Sequence, residues 1–420
     1  LRAVEGNYGK FILDNKSLVK DSVIQNMLDA VKRYDIVSLD TLERVMLLIG
    51  DTPGAQVVRA DVMPGEAVGT SDFAVGTLAT AAHQGYVLLD NHGSRYTGRD
   101  RVSFNWDWNS PTGYGDRLSV SGLGAQDLLN GRVAYAIPLG STGLRGEVSA
   151  TKTSYSLGDR YSALDALGTA SGYDLNLSYP IRQVRAQTIE LGLNYAQRAL
   201  KDEVRLTDTV TRKGSGAVSA SLSIRDDRTL FGLDGVNQGM VRFTMGNLDI
   251  VDAQVLALDQ AAGGARTFGD FAKLNVTLSR STLLPNAFTL AASLRHQSTL
   301  GGKNLDSSER MGISGVGGVM AYPMGEASGT DATLVGLELS RPLPEVMGVQ
   351  HQWMAFTNWG RTRTLRQDDY RSLSDVGLGW STRQQNGLLI KAYVAIGLNG
   401  HATSEPDPKT RFLLQAGWVF

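Results

Sequence analysis

Arg101-Val102-Ser103-Phe104-Asn105-Trp106-Asp107-Trp108-Asn109 alternates without error: the odd positions are polar, and Val102, Phe104, Trp106 and Trp108 between them are apolar. Period two sends successive side chains to opposite faces of an extended strand. The pattern returns at the end of the chain, with Phe412, Leu414, Ala416, Trp418 and Phe420 on one face and Arg411, Leu413, Gln415 and Gly417 on the other. It recurs in Val218/Ala220/Leu222/Ile224 against Ser219/Ser221/Ser223/Arg225, in Val241/Phe243/Met245 against Arg242/Thr244/Gly246, and in Leu274/Val276/Leu278 against Asn275/Thr277/Ser279. In each, one face is too polar for a protein core. Alternation alone fits a sandwich with one wet face as well as a membrane barrel with a wet lumen. Strand number, length and spacing have to decide.

Composition narrows the classes. The chain has 420 residues, 42% of them hydrophobic, and 48 glycines, which describes a folded protein without a disorder signature. Its longest uninterrupted aliphatic stretch is Val45–Ile49, far short of the roughly 20 residues a spanning helix needs. Any membrane crossing is therefore made by strands. The absence of cysteine removes disulfides, thiolate chemistry and zinc–thiolate sites and suits an oxidising periplasm. A formal net charge of −1 argues against nucleic acid as a partner. Leu1 is not a start methionine and no charged and apolar leader follows it, so a signal peptide is expected to have been removed.

After residue 80 the punctuation becomes regular. Strands are expected near 83–92, 100–109, 116–124, 131–137, 144–156, 170–179, 187–198, 216–226, 239–249, 270–281, 287–297, 332–342, 351–361, 372–382, 388–398 and 409–420. Each approaches the length of a tilted bilayer-crossing strand. Even-numbered strands are followed by tight turns, at 111–115, 140–143, Leu284-Pro285-Asn286, Pro342-Leu343-Pro344-Glu345 and Asn386-Gly387, the last a type I′ signal. Odd-numbered strands are followed by long loops at 157–169, 199–215, 250–269 and above all 298–331. Segregation of loop length by parity points to an antiparallel transmembrane barrel of 16 strands over residues 80–420, with both ends on the tight-turn side.

Residues 1–79 follow another rule. Tyr8–Asp14 reads as a strand. Val23, Ile24, Met27 and Val31 then recur at helical spacing, and a second helix carries Leu42, Val45, Met46 and Ile49. Asp40 three residues before Glu43 resembles a capping box, and Gly50 with Pro53 is the stop signal. Strand-like runs at Gln56–Met63 and Ser71–Leu78, turned at Pro64-Gly65, complete a β-α-α-β-β order. This is a small α+β domain placed on the periplasmic side.

A β-α-α-β-β module ahead of a 16-stranded barrel resembles the polypeptide-transport-associated (POTRA) domain and barrel of the Omp85 superfamily, in particular the TpsB transporters of two-partner secretion, which include the haemolysin activators. Three stretches carry the likeness. Leu42–Gly54 resembles the second POTRA helix and its exit. Asp90–Gly98, with Pro111…Gly115-Asp116, resembles the start of the barrel. Gly318–Gly329 resembles the tip of the long sixth loop, which in this family folds back into the barrel. Within it Val319, Met320, Ala321, Tyr322, Pro323, Gly325 and Glu326 form the tip motif, and the strand that receives it carries Phe356 and Asn358. The family's tip reads Val-Arg-(Gly/Ala)-Tyr and its receiving strand Phe-x-Asp, an expected Arg–Asp pair. Here position 320 is Met and 358 is Asn, so both charges are missing. Removing one partner of a buried pair costs about 3–5 kcal/mol whereas replacing both is near neutral, so the double change implies that Met320 and Asn358 lie close together. Met320→Arg alone is then expected to loosen the loop, for want of a carboxylate. Many members also carry a plug helix, a linker and an earlier POTRA domain ahead of the stretch seen here.

No enzymatic motif is present. The five histidines, His83, His92, His296, His351 and His401, lie far apart, the glycine clusters lack a phosphate-loop context, and no nucleophile elbow occurs, so no cofactor, metal or catalytic residue is expected. Glu190, Arg225, Arg242, Lys273, Glu338 and Asp375 fall on inward faces, as the lining of any wet lumen would. Trp106, Trp108, Trp380, Trp418 and Phe420 fall outward, where lipid contact accounts for them. The resemblance adds that terminal Trp418 and Phe420 signal to the barrel-assembly machinery. It implies an outer-membrane transporter of a Gram-negative bacterium that secretes one large unfolded exoprotein, an adhesin, haemolysin or contact-inhibition toxin. The competing readings are a barrel-assembly insertase of the same superfamily and, less favoured, a passive porin.

Overall fold

The computed structural model describes residues 6–33, 37–365, 370–405 and 409–420. The chain opens with β1 (Asn7–Lys16), α1 (Asp21–Asp29), α2 (Leu39–Gly50), β2 (Gln56–Pro64) and β3 (Thr70–Leu78). These strands form a sheet in the order β1-β3-β2, with β1 parallel and β2 antiparallel to the central strand. Apolar spacing on both helices buries Ile24, Met27, Leu28, Val45 and Ile49 against Phe11, Phe73 and Val75 of the sheet. The Phe11 and Phe73 rings stack at 5.1 Å.

The expected capping box at Asp40 is absent. The helix starts earlier, with extended Ser38 at the cap position and no side-chain cap bond, so Asp40 lies inside the first turn. Glu43, which a capping box would turn back onto its own helix, instead accepts the Arg185 N–H at 3.0 Å.

Sixteen strands then close on themselves. They are β4 (His83–Asp90), β5 (Arg101–Asn109), β6 (Arg117–Ala125), β7 (Leu128–Pro138), β8 (Arg145–Ser156), β9 (Ala166–Val184), β10 (Gln187–Val204), β11 (Thr209–Asp227), β12 (Gly235–Ile250), β13 (Gly269–Leu283) and β14 (Thr289–Leu300). After the small strands β15 (Met311–Gly312) and β16 (Ser328–Gly329) follow β17 (Asp331–Val346), β18 (Val349–Arg363), β19 (Tyr370–Gln384), β20 (Leu388–Asn399) and β21 (Thr410–Val419). Neighbours in sequence are neighbours in the barrel, except that β14 pairs β17 and that β21 closes onto β4.

The two faces divide as the alternation requires. Val218, Leu222, Val241 and Phe243 stand exposed on the outside. Ser219 and Thr244 are buried on the inside, where their hydroxyls meet at 2.8 Å. An outer wall of large exposed apolar side chains is stable where hydrocarbon replaces water.

Several boundaries moved. The supposed loop at 199–215 is mostly hairpin, with β10 and β11 paired without a break from Gln187↔Asp226 to Val204↔Thr209, because backbone pairing continues past the apolar belt that marked the strand in sequence. The segment 250–269 includes α3 (Ala253–Gln260). Pro342–Glu345 is not a turn: β17 runs through a bulge to Val346, and the reversal falls at Met347-Gly348, both with positive φ, 52° and 75°. At Asn386-Gly387 only Gly387 has positive φ, 91°, so that turn is not type I′, which needs both.

Candidate functional site

Two places stand out as more than architecture: the segment between β14 and β17, and the outer side of the amino-terminal α+β unit.

The segment from 301 to 330 lies against the lumen wall. Its short ladder of β15 with β16 carries a tip, 313–327, with a core of its own. Ile313, Val319, Ala321, Tyr322 and Ala327 are buried against Ala332, Leu334, Phe356, Leu373 and Ala395 of the wall, with Met320 packed beside them. Close approach needs glycine on the wall. A Cβ on Gly360 would lie 2.9 Å from Ile313 Cδ1, and one on Gly397 2.9 Å from the Tyr322 hydroxyl.

Polar groups fasten the leading stem and the tip. Lys273 Nζ donates to the Glu309 carboxylate at 2.6 Å and to its carbonyl at 2.9 Å, and Lys213 pairs with Asp306 at 2.6 Å. Arg295 donates to the Gly317 carbonyl.

At the tip the decisive group is Asp375 on β19, with no exposed surface. Its Oδ2 accepts the Ala321 N–H at 2.9 Å, and its Oδ1 accepts the Asn358 N–H at 3.1 Å and the Asn358 side-chain amide at 2.9 Å. The Met320 N–H also bears on this carboxylate. Met320 and Asn358 therefore meet through a third residue, and the expectation of a loop held without a carboxylate is overturned. The carboxylate comes from the neighbouring strand, where Asp375 is the cross-strand partner of Asn358. Every donor shown on it is neutral. Spacing along the chain could not reveal this, because it depends on the register between β18 and β19.

Glu326 closes the far side of the tip. Its carboxylate accepts Thr403 N–H and Oγ1, both at 2.8 Å, Ser404 N–H at 3.0 Å, the Ser404 hydroxyl and the Arg371 guanidinium. Burial acts to raise its pKa, but the hydrogen bonds from Ser404 and Thr403 outweigh it and bring the group from 4.5 to about 2. Tyr322 donates to the Asn399 carbonyl. Pro323 accepts the Glu326 N–H at 3.2 Å across a turn in which Gly325 has φ +79°. The tip motif, Phe356 and Asn358 thus gather in one place. Trp418 and Phe420 do not join them: their rings lie 5.5 Å apart at the foot of β21, with the Trp418 indole donating to the Asn386 carbonyl at 2.6 Å. Arg371, Asp375, Thr403 and Ser404 are the contributors that sequence motifs missed.

The α+β unit sits against the tight-turn end of the barrel. Arg44 of α2 donates to the Pro180 and Ile181 carbonyls at 2.6 and 2.9 Å, and Arg145 donates to the Asp51 carbonyl at 2.6 Å. Burial in this joint pushes the Asp51 carboxyl up, against the opposing pull of Arg145 and Gln183. The opposite side of α2 forms, with β2, an open groove of about 790 Å³ whose lining includes Leu42, Met46, Val58, Val62 and Arg185. β2 is an edge strand, so its outer backbone groups have no sheet partner.

Two outcomes are expected. Asp375→Asn turns an amide nitrogen toward N–H donors and should weaken tip docking by about 1.5–3 kcal/mol, the range for hydrogen bonds to a charged group. Met320→Arg should be tolerated alone but harmful with Asp375→Asn. A double-mutant cycle on thermal unfolding should give a coupling of at least ~1 kcal/mol, and zero coupling contradicts the assignment. As for pH, the Glu326 carboxylate lies below its ordinary value, so its contribution is complete above about 4.5 and is lost as pH falls towards 2. Protease protection of the tip should follow that course, and Glu326→Gln should abolish the dependence.

Known proteins share this fold. The family model for haemolysin secretion/activation protein ShlB/FhaC/HecB matches residues 69–382. The heme/hemopexin transporter protein HuxB of Haemophilus influenzae strain 86-028NP is 25% identical over 415 residues, which cover 95% of this chain and 71% of that one. Among solved structures, CdiB from Escherichia coli superposes with a TM-score of 0.82 at 17% identity, covering 99% of this chain and 77% of its own. BamA from Haemophilus ducreyi lacking POTRA domains 1–3 superposes at 0.60 with 13% identity, covering 99% and 85%. Those likenesses concern the fold. The family match, on a closed 16-stranded barrel, carries the conclusion: the chain belongs to the ShlB/FhaC/HecB family of the Omp85 superfamily and is an outer-membrane transporter of two-partner secretion that exports a large exoprotein.

Proposed function

We propose that residues 1–79 are a periplasmic POTRA domain, which captures the unfolded amino-terminal part of one large exoprotein and hands it to the lumen, and that the inward loop at 298–331 leaves its place to let the chain through. The observation that carries this reading is the union of an open β-edge and an apolar groove in a unit fastened to the barrel by Arg44 and Arg145. An extended exoprotein segment adds to the outer edge of β2 by backbone pairing, which tolerates many sequences, and sets alternate apolar side chains over Val58 and Val62. These two side chains are 53% and 64% exposed, too open for residues whose only task is packing. Arg185, on the barrel turn that reaches the same groove, offers the incoming segment a cation beside the lumen mouth.

The barrel's outer apolar face contacts outer-membrane lipid, and Trp418 with Phe420 serves recognition by the barrel-assembly machinery. The exoprotein is an adhesin, a haemolysin or a contact-inhibition toxin. Energy comes from its folding outside the cell, and no cofactor or catalytic step takes part.

Deleting residues 1–79 should leave a barrel that still inserts and shows heat-modifiable mobility but secretes no exoprotein. Undiminished secretion by the truncated barrel would refute capture by this domain. Loss of many unrelated outer-membrane barrels from a host lacking the gene would favour the insertase reading instead.

A further inference from the structure

The barrel is weakest where it closes. Only five residue pairs, from Gln415↔Asp90 to Val419↔Tyr86, join β21 to β4, whereas β10 and β11 share eighteen. Reciprocal bonds of Gly85 with Phe420, at 2.9 and 3.0 Å, finish the foot of this seam. Above Asp90 the ladder ends in a single backbone bond, from the Asn91 N–H to the Leu414 carbonyl at 3.2 Å, and a side chain extends it: the Asn91 amide donates to the Phe412 carbonyl at 3.1 Å and accepts the Leu414 N–H at 2.9 Å. On the lumen side of the seam His92 Nε2, Glu405 Oε1 and Arg411 Nη1 are buried with no partner among the described residues.

What spans the seam above Asn91 is the segment 399–405 between β20 and β21. Glu405 pairs with Arg99 at 2.9 Å, the Tyr96 hydroxyl donates to the Ser404 carbonyl, and Arg160 donates to the Thr403 carbonyl at 3.3 Å. Tyr96 and Arg99 belong to the β4–β5 connection and Arg160 to the β8–β9 connection, so all three lie beyond the seam. The same Thr403 and Ser404 offer their N–H groups and hydroxyls to Glu326. Among the described residues the carboxylate meets one further group, Arg371, which also binds the Glu326 and His401 carbonyls at 2.6 and 3.0 Å.

We propose that Glu326 is a positioning residue with two effects: it latches the loop tip inside the barrel and, by ordering segment 399–405, it clips the β4–β21 seam shut. The segment uses its N–H groups and hydroxyls on one side and its carbonyls and the Glu405 carboxylate on the other, so both grips require the same backbone conformation. Departure of the tip strips four donors of their acceptor at once, and the segment that bridges the seam loses the contact that ordered it. The coupling is reciprocal: breaking the seam side must weaken the tip. The proposal goes beyond secretion and needs no exoprotein, so its test stands or falls separately from the capture reading.

A chain without cysteine allows clean reporters. In the full chain reconstituted in vesicles of outer-membrane lipids, maleimide labelling of Val319→Cys, buried when docked, reads the tip. Spin labels on Leu89→Cys and Ala416→Cys, a facing pair, read the seam. Glu326→Gln should speed labelling at least tenfold and broaden the 89–416 distance distribution. Arg99→Gln, which touches only the seam side, should broaden the same distribution and also speed labelling, a response that a purely local role of Glu326 does not produce. Faster labelling with an unchanged 89–416 distance in Glu326→Gln overturns the coupling, and unchanged labelling overturns the latch. Should Glu326→Gln fail to fold into a heat-modifiable barrel, Ser404→Ala is read on the same two reporters with the same outcomes.

Discussion

The Asp375 carboxylate has no exposed surface and, among the described residues, meets only neutral donors, and the sixth loop is docked because the Ala321 N–H supplies part of what water would otherwise give. A buried carboxylate is costly unless its hydrogen bonds are complete. Withdrawing the tip removes the Ala321 and Met320 N–H groups and admits water in their place, so the docked and withdrawn states differ less than they would across a salt bridge. The apolar contacts of Ile313, Val319 and Tyr322 with the wall then carry much of the docking. A loop held in this way is fixed in position and yet releasable.

Around that contact the barrel follows from simple constraints. Period-two alternation separates an apolar exterior from a polar lumen, and the lumen supplies Lys213 and Lys273 to hold the leading stem of the loop and Arg295 to hold its tip. Glycines at 360 and 397 open the wall where the tip presses closest. The amino-terminal unit meets the barrel through carbonyl-directed arginines, contacts that depend on the shape of the turns more than on their side chains.

Much of this was legible in the sequence, and the reasons are physical. All sixteen barrel strands were found because alternation is imposed by the environment on each side of a strand and survives any local exception. Loop ends were misplaced where pairing outruns the membrane, as in β10 and β11, and where prolines at 342 and 344 suggested a turn that a bulge absorbed. The tip motif and its receiving strand were visible as a resemblance. Their true fastener was not, because Asp375 comes to Asn358 through strand register, and Glu326 comes to Ser404 across 78 residues. Such contacts are made by topology and leave no spacing to read.

The central claim is that the docked tip blocks passage and must leave. A reversible tether tests it directly. The Cβ that Gly360 lacks would lie 3.0 Å from Ile313 Cβ, about half an ångström below the short end of the disulfide range, so Ile313→Cys with Gly360→Cys can bridge loop and wall after a small outward shift. With the disulfide formed, secretion of the exoprotein should stop, and reductant should restore it within the same cells. Secretion that continues through the oxidised, cross-linked barrel would contradict the account.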